Sequence, residues 1–276
     1  MRRRALIKSG ILAASLAALP RYALPQPPGP RPNAGPATEP LGDGLILVRG
    51  EANGLVYERA GQNLLIDVPA PEFEGSAELY GPEPILVNSN WRPEHTAANA
   101  FLGPAGTEII AHENTKLWMG NDFTVAWESR RYRPRPAEVL PNTTFYTSTT
   151  LEIGDETVEI GHTPRAHTDG DIYVYFRRAN VLFASDLLAV DGYPILDYAT
   201  GGWIRGMIDA TERLFEIADE TTLIVPAVGE PGRRDALEAQ LALCRATDEA
   251  VGKAYTTAKS LDEVLAMDPL AAYRSE

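Results

Sequence analysis

The sequence predicts an α/β protein in which helices lie outside two β-sheets, and three observations support this class. Short apolar segments typical of strands, separated by glycine-containing turns, occur in both halves of the chain. Two longer segments, 203–218 and 233–259, place apolar residues at helical spacing. The chain of 276 residues is 44% hydrophobic and 23% charged, which is the composition of a globular protein. Because strands precede helices and both then recur, we expect layered sheets with helices packed on their outer faces.

The predicted elements fall into two groups separated by a long connection. The first group contains strands and one short helix, with strands at 45–48, 54–58, 63–67, 84–87 and 107–111 and the helix at 96–102. Segment 118–142 is rich in proline and arginine and shows little periodicity, which predicts a surface excursion. The second group contains a Gly-Asp hairpin, three strands and two helices, at 151–160, 172–176, 181–184, 223–226, 203–218 and 233–259. Cys244 follows Leu237 and Leu241 at helical spacing, which predicts a core position.

The N-terminus has the pattern of an export signal. A basic segment that begins at Arg2 precedes a short apolar stretch at 11–19, an order typical of secretory signals. Arg3-Arg4-Ala5-Leu6-Ile7-Lys8 resembles the twin-arginine motif. Seven of the sixteen residues from Pro25 to Pro40 are proline, which favours an extended spacer. We therefore predict an export signal at 1–23, a Pro-rich linker at 24–40 and a folded domain at 41–276, located in the periplasm or outside the cell.

Charge and residue counts exclude several kinds of protein. With 25 basic and 38 acidic side chains the net charge is −13, which disfavours a nucleic-acid partner. A single cysteine excludes an intrachain disulfide and a cysteine-rich zinc site. The sequence contains no apolar run of about 18 residues, so we expect no stable membrane span. Any histidine-built metal site must draw on four histidines: His95, His112, His162 and His167.

Four segments resemble, in order, the metal-binding segments of the metallo-β-lactamase superfamily. Segment 88–100 follows a predicted strand and is similar to the loop His-x-His-x-Asp-His. Segments 166–171, 181–188 and 224–229 are similar to those that supply a third ligand, a bridging aspartate and a last histidine. The resemblance implies a four-layer αββα sandwich. It also implies descent from zinc hydrolases of esters, lactams or thioesters, in which two zinc ions share a nucleophilic hydroxide.

This sequence retains only some of the metal ligands of the superfamily pattern. His95, His167 and Asp186 match ligand positions, and Glu94 stands where the family has an aspartate. The candidate metal ligands are therefore Glu94, His95, His167 and Asp186. They predict at most one zinc ion, and a protein without metal is equally consistent with them.

Three other positions depart from the family pattern. Asn90 and Arg92 replace two loop histidines, and Val228 replaces the last histidine. Asparagine is a weak neutral ligand, and arginine cannot ligate because it stays protonated. We expect Arg92 to occupy the space of the first ion and to pair with Glu94 and Asp186.

These departures lead to alternative functions. The leading interpretation is a protein of hydrolase ancestry that has lost its dinuclear zinc site. It would bind a small molecule or an envelope protein, with Asn90, Arg92 and His167 as ligand-binding residues and Arg92 suited to an anion. A second version keeps weak one-metal hydrolysis, in which Glu94 helps to hold the zinc ion and Arg92 stabilises an oxyanion. A scaffold with a silent cleft and a fully working zinc hydrolase with an unusual site are the remaining alternatives.

Overall fold

The computed structural model describes residues 36–59, 61–72, 75–190, 192–258 and 260–271. The predicted export signal and most of the predicted linker lie outside the described residues. The first strand already runs over Ala37–Gly42, so regular structure begins four residues before the predicted domain start at Leu41. Among the described strands this one lies at a sheet edge, the position where a proline such as Pro40 is best tolerated.

Strands and helices follow the predicted order. The strands are β1 Ala37–Gly42, β2 Leu45–Arg49, β3 Asn53–Arg59, β4 Gln62–Ile66, β5 Ile85–Val87, β6 Glu108–His112, β7 Phe123–Val125, β8 Arg130–Tyr132, β9 Thr143–Phe145, β10 Ser148–Ile153, β11 Glu156–His162, β12 Ile172–Phe176, β13 Val181–Ser185 and β14 Leu223–Pro226. The helices are α1 Ser76–Tyr80, α2 Asn99–Leu102, α3 Glu113–Met119, α4 Ile204–Ile217, α5 Arg234–Thr257 and α6 Leu261–Met267. None of the helices in the described ranges is both long enough and apolar enough to cross a bilayer.

The strands form two large sheets and one small hairpin. The first sheet has the order β1-β2-β3-β4-β5-β6-β9, and the second has the order β10-β11-β12-β13-β14. The first sheet is antiparallel from β1 to β4 and parallel from β4 onward. In the second sheet only β13 and β14 are parallel. The parallel strands end at the same edge of each sheet, so the loops that follow them can meet.

Alternating apolar residues of the two sheets face each other and form the main core. Leu55 and Ile66 from the first sheet share this core with Ile160, Val174 and Phe183 from the second. Full burial of side chains of this size stabilises the fold by roughly 1.5–3 kcal/mol each. The αβ sandwich therefore has its largest apolar layer between the sheets.

Helices cover the outer face of each sheet. Met207 and Leu214 of α4 and Cys244 of α5 pack on Leu182 of the second sheet. Tyr80 of α1 packs in the cluster on the other face of the first sheet. These layers confirm the predicted four-layer αββα sandwich, and burial of Cys244 confirms its predicted core position.

The segment predicted as a surface excursion is largely exposed, but it also contains a small buried cluster. It contains the hairpin β7–β8, whose Val125 and Tyr132 are buried with Trp91 and Met119. Trp91 contacts Tyr132 edge to face, with 4.7 Å between the ring centroids. The low periodicity of 118–142 concealed this cluster, because its apolar residues contact the loop after β5 and lie on neither large sheet.

Candidate functional site

The segments that resemble the superfamily meet where the parallel strands end. Asp67 follows β4, the loop 88–98 follows β5, Asp186 follows β13, and Ala227-Val228 follows β14. Ala227 N donates to Ser185 O at 2.9 Å, which places Val228 beside the segment of Asp186. The strand order thus brings residues more than 100 positions apart to one cleft.

Asp67 is the buried centre of the cleft and was not among the predicted site residues. Its carboxylate accepts hydrogen bonds from Ser89 N at 2.8 Å and from His95 Nδ1 at 2.7 Å. It also accepts from Ser89 Oγ and, at 3.3 Å, from Ser185 Oγ. Its backbone φ of 50° lies in the left-handed region, which Asp tolerates better than most residues. A polar residue directly after the apolar run of β4 was the only sequence signal for this role.

His95 lies between two carboxylates. Its Nδ1 contacts Asp67 Oδ2 at 2.7 Å, and its Nε2 contacts Asp186 Oδ2 at 2.8 Å. Burial by itself lowers the pKa of His95, but the charges of Asp186 and Asp67 outweigh it and raise the pKa well above its usual value. Both ring nitrogens therefore donate to carboxylates, and a metal ion would have to displace one of these protons to bind His95.

Asp186 is partly exposed, with 24% of its side chain accessible. One oxygen, Oδ2, accepts from His95 and, at 2.9 Å, from Asn90 Nδ2. Burial favours the neutral acid, but His167, His95 and Asn90 reverse this and hold the pKa of Asp186 well below its usual range. The carboxylate is therefore ionised, and within the described residues its second oxygen, Oδ1, accepts no hydrogen bond.

His167 approaches the same carboxylate from the loop between β11 and β12. Its Nδ1 donates to Ile195 O at 2.8 Å. Asp171 holds the turn that follows His167 by accepting from Thr168 N at 2.7 Å. His167 Nε2 lies 3.5 Å from Asp186 Oδ2 and is buried without a hydrogen-bond partner in the described part of the chain. This side chain is the one incompletely satisfied histidine of the cleft.

Arg92 occupies a separate acidic pocket beside the cleft. Its guanidinium pairs with Glu94 at 3.1 Å and with Glu128, and Nη1 lies 3.6 Å from Asp197 Oδ2. Burial lowers the pKa of Arg92, but Glu94 and Glu128 outweigh this and raise it. Arg92 also lies over the rings of Trp91 and Trp127, with 5.4 and 5.6 Å to their centroids.

The expected pairing of Arg92 is therefore right in part. It pairs with Glu94 as predicted, but no contact joins it to Asp186 among the described residues, where Asn90 and His95 take that carboxylate instead. The sequence could not reveal Glu128 and Asp197 as partners, because they lie on the hairpin segment and on a loop far from the motif.

The side chains do not fit the dinuclear zinc site that the fold family implies. Glu94 is engaged by Arg92, and His95 donates from both nitrogens. Val228 is 60% exposed and offers no donor atom for a metal. Across the described ranges, no group of three or more His, Cys, Asp or Glu side chains is arranged to hold a metal ion. The four predicted ligands thus form an ion-pair network in which Glu94 belongs to a different cluster from Asp186.

The other two histidines form a stacked pair away from the cleft. The rings of His112 and His162 lie 3.7 Å apart between centroids and are inclined by 16°. His112 Nε2 donates to Tyr146 O, and its Nδ1 accepts from Asn114 N at the start of α3. Burial lowers the pKa of both rings, and the neighbouring His112 helps to lower that of His162 to about 4.

This pair predicts a loss of stability in weak acid. Between about pH 6.5 and 4, His162 is protonated in the unfolded chain but remains neutral in the folded chain. The free energy of unfolding therefore falls as the pH falls. Allowing for its partial exposure, we expect His162 to contribute about 2 kcal/mol of this loss. Urea unfolding at several pH values measures it, with His162→Gln as the comparison, since the amide can still donate to Asp171 O. If the free energy of unfolding fell equally with pH in both proteins, His162 would not be the source of the loss.

Two facing sheets, outer helices and a cleft beyond the parallel strands define a protein with the metallo-β-lactamase fold. The chain is similar to a metallo-β-lactamase from Pontibacter korlensis, with a TM-score of 0.56 and 20% identity, covering 76% of this chain and 93% of that one. It is also similar to the DIM-1 metallo-β-lactamase, with a TM-score of 0.60 and 16% identity, covering 78% and 99%. For metallo-β-lactamase IND-7 the TM-score is 0.58 and the identity 18%, covering 76% and 97%. No family model and no curated protein matches the sequence. The predicted fold is confirmed, and at these identities the likeness concerns the fold alone.

Proposed function

We propose that this protein is an exported, metal-independent binding protein that uses the cleft of a former zinc hydrolase. The observation that carries the proposal is the direct contact of His95 with Asp186, because it joins two candidate ligands where a shared ion would have to lie between them. Hydrolase ancestry is supported by the fold and by the order of the four segments. Export is supported by the basic and apolar N-terminal pattern.

One-metal hydrolysis is the less favoured alternative. It needs Glu94, His95 and Asp186 to converge on one ion, whereas Glu94 pairs with Arg92 and His95 donates from both nitrogens. Zinc would have to displace a proton from His95 and separate it from two carboxylates. Arg92 pairs with Glu94 and Glu128, and its Nη1 is buried without a hydrogen-bond partner in the described part of the chain. Its use as an oxyanion stabiliser would therefore require this buried nitrogen to become accessible.

The experiment is a measurement of metal content and of zinc-dependent stability. The chain purified without chelator is expected to contain far less than one zinc per molecule, and added zinc should leave its melting temperature unchanged. If the protein has a zinc site, a free zinc concentration of 100 times its Kd would raise the free energy of unfolding by about 2.7 kcal/mol, which such a measurement would detect.

Asp186→Asn serves as the matched control, because zinc bound elsewhere on this acidic chain would remain after the substitution. Stoichiometric zinc that is lost in Asp186→Asn, together with turnover of a generic ester or a chromogenic lactam, would overturn the proposal in favour of a metal-dependent hydrolase.

A further inference from the structure

The second sheet ends in an unprotected edge strand, β10 at Ser148–Ile153. This strand is six residues long, pairs with β11 without a bulge, and contains neither proline nor lysine. Natural sheets use such devices to protect an edge, because its unpaired N–H and C=O groups are a template for another strand. Within the described residues, no hydrogen bond outside the β11 ladder reaches the backbone of β10. One side of the strand is therefore open to pairing.

The other strands that end the two large sheets are each protected. β1 contains Pro40 and a register shift beside it, and β9 has only three residues. β14 is covered by Gly232, which exchanges two backbone hydrogen bonds with Ile224 at 2.8 and 2.9 Å. Among the described strands of these sheets, β10 is thus the edge most open to a further strand.

The alternation along the ladder shows which groups of β10 face outward. His162 N donates to Thr147 O at 2.8 Å directly before the strand, and the register of β10 with β11 has no shift. Antiparallel residues alternate between bonding their neighbour strand and pointing away from it. The odd-numbered residues of β10 therefore bond β11, and the N–H and C=O groups of Ser148, Thr150 and Glu152 point to the open edge.

The main core is incompletely covered at this edge. Ile153 is buried in the core, whereas Leu151 of β10 and Phe145 of β9 are only partly buried against it. Because side chains alternate across a strand, Thr149 and Leu151 lie on the same face as Ile153. A strand added beside β10 would cover Leu151 and extend the apolar layer between the sheets.

A second copy of the same strand fits this edge in antiparallel orientation. When Leu151 lies opposite its own counterpart on a two-fold axis, Thr149 lies opposite Ile153 and Thr150 lies opposite Glu152. Inner faces then meet inner faces, and the outward backbone groups of Thr150 and Glu152 bond each other. Glu152 is the only charged residue of the strand, and in this register it faces a threonine.

The neighbouring two-fold registers are less favourable. A register centred on Glu152 would place two like charges directly opposite, which is destabilising. A register centred on Thr150 would place each Leu151 opposite Thr149 and lose the contact between the two leucines. A shift of one position between these registers would turn the inner face of one copy to the outer face of the other.

We propose that this chain forms a two-fold dimer in solution by antiparallel pairing of β10 with the β10 strand of a second copy, with Leu151 on the axis. Tyr146, which is 72% exposed two residues before the strand, adds aromatic surface next to the paired strands. A six-residue edge is small beside the roughly 800 Å² per partner of a stable interface, so we expect the dimer to be reversible.

Sedimentation velocity of the full chain over about 1 µM to 1 mM tests for the dimer, whose population should rise with concentration. Thr150→Pro removes an outward N–H and leaves the β11 ladder intact, a change that edge strands tolerate. It should weaken dimerisation at least about tenfold, because each of the two copies loses a hydrogen bond. Thr150→Val is the matched control, since it keeps the N–H, and it should dimerise within about twofold of the unchanged chain.

Leu151→Cys keeps the proposal testable if Thr150→Pro does not fold. The two introduced thiols would face each other in a pair without mutual hydrogen bonds, where Cα atoms are about 4.5 Å apart, and mild oxidation should join them. Thr149→Cys is the control on the same face, because its two thiols would lie about 13 Å apart along the strands, beyond disulfide reach. The native Cys244 is buried and does not compete.

Three results would overturn the dimer. A chain that stays monomeric over the whole concentration range would leave the edge to a strand of a different protein. A dimer that Thr150→Pro leaves intact, or disulfides that form equally well in Leu151→Cys and Thr149→Cys, would show that β10 does not pair in this way. The pairing does not involve the cleft, so the zinc measurement and this test can fail independently.

Discussion

Replacement of Asp67 by alanine is expected to lower the free energy of unfolding by about 3–5 kcal/mol, the range for breaking a buried ion pair by removing one partner. The substitution leaves Ser89 N, Ser89 Oγ, Ser185 Oγ and the charged His95 Nδ1 without their acceptor in a fully buried place. His95 would then have only Asp186 as a compensating charge.

Urea unfolding at neutral pH measures this effect. Asp209→Ala makes the same change at an exposed position of α4 and should alter stability by no more than about 0.5 kcal/mol. A loss below about 1 kcal/mol in Asp67→Ala would mean that Asp67 does not organise the site. The loss of stability in Asp67→Asn is expected to lie between those of Asp67→Ala and Asp209→Ala. The amide oxygen still accepts hydrogen bonds, but the charge opposite His95 is gone.

Restoring the superfamily ligands is expected to convert the cleft into a zinc site. The variant combines Asn90→His, Arg92→His, Glu94→Asp and Val228→His, and we expect it to bind at least one zinc ion per chain. Each of the three added imidazoles supplies a nitrogen donor that zinc prefers. A zinc ion held by them can displace the proton that His95 donates to Asp186.

The same substitutions should destabilise the metal-free protein, because removal of Arg92 leaves Glu128 and Asp197 without their cation. The expected cost is about 3–5 kcal/mol, and Glu128→Gln with Asp197→Asn should recover part of it. Metal analysis and melting temperatures with and without zinc measure both effects.

The matched control for restoration keeps Arg92 and changes only Asn90→His and Val228→His. It should take up no zinc, since position 92 still lacks a histidine and His95 remains paired with Asp67 and Asp186. If the variant with all four substitutions folds but stays free of zinc, the supporting hydrogen bonds, rather than the missing ligands, exclude the metal.

Much of the fold could be predicted because its signals are local. The helical spacing at 233–259 corresponds to α5 at Arg234–Thr257, and the Gly-Asp pair at 154–155 is the turn between β10 and β11. Burial of one face of a helix or strand leaves a periodic pattern in the sequence, and such patterns survive without knowledge of the partner. The hairpin β7–β8 was missed because its buried residues are few and irregularly spaced.

The sequence by itself determined which donor atoms the cleft contains: His95, His167 and Asp186 at ligand positions, and Asn90, Arg92 and Val228 in place of histidines. Only the tertiary structure decided how they pair. Arg92 turned to Glu128 and Asp197, and His95 was held between Asp67 and Asp186. The physical reason is that a side chain can form an ion pair with any carboxylate that folding brings within reach. The pair of Arg92 with Asp197 spans 197 − 92 = 105 positions, and a separation of that size leaves no periodic trace in the chain.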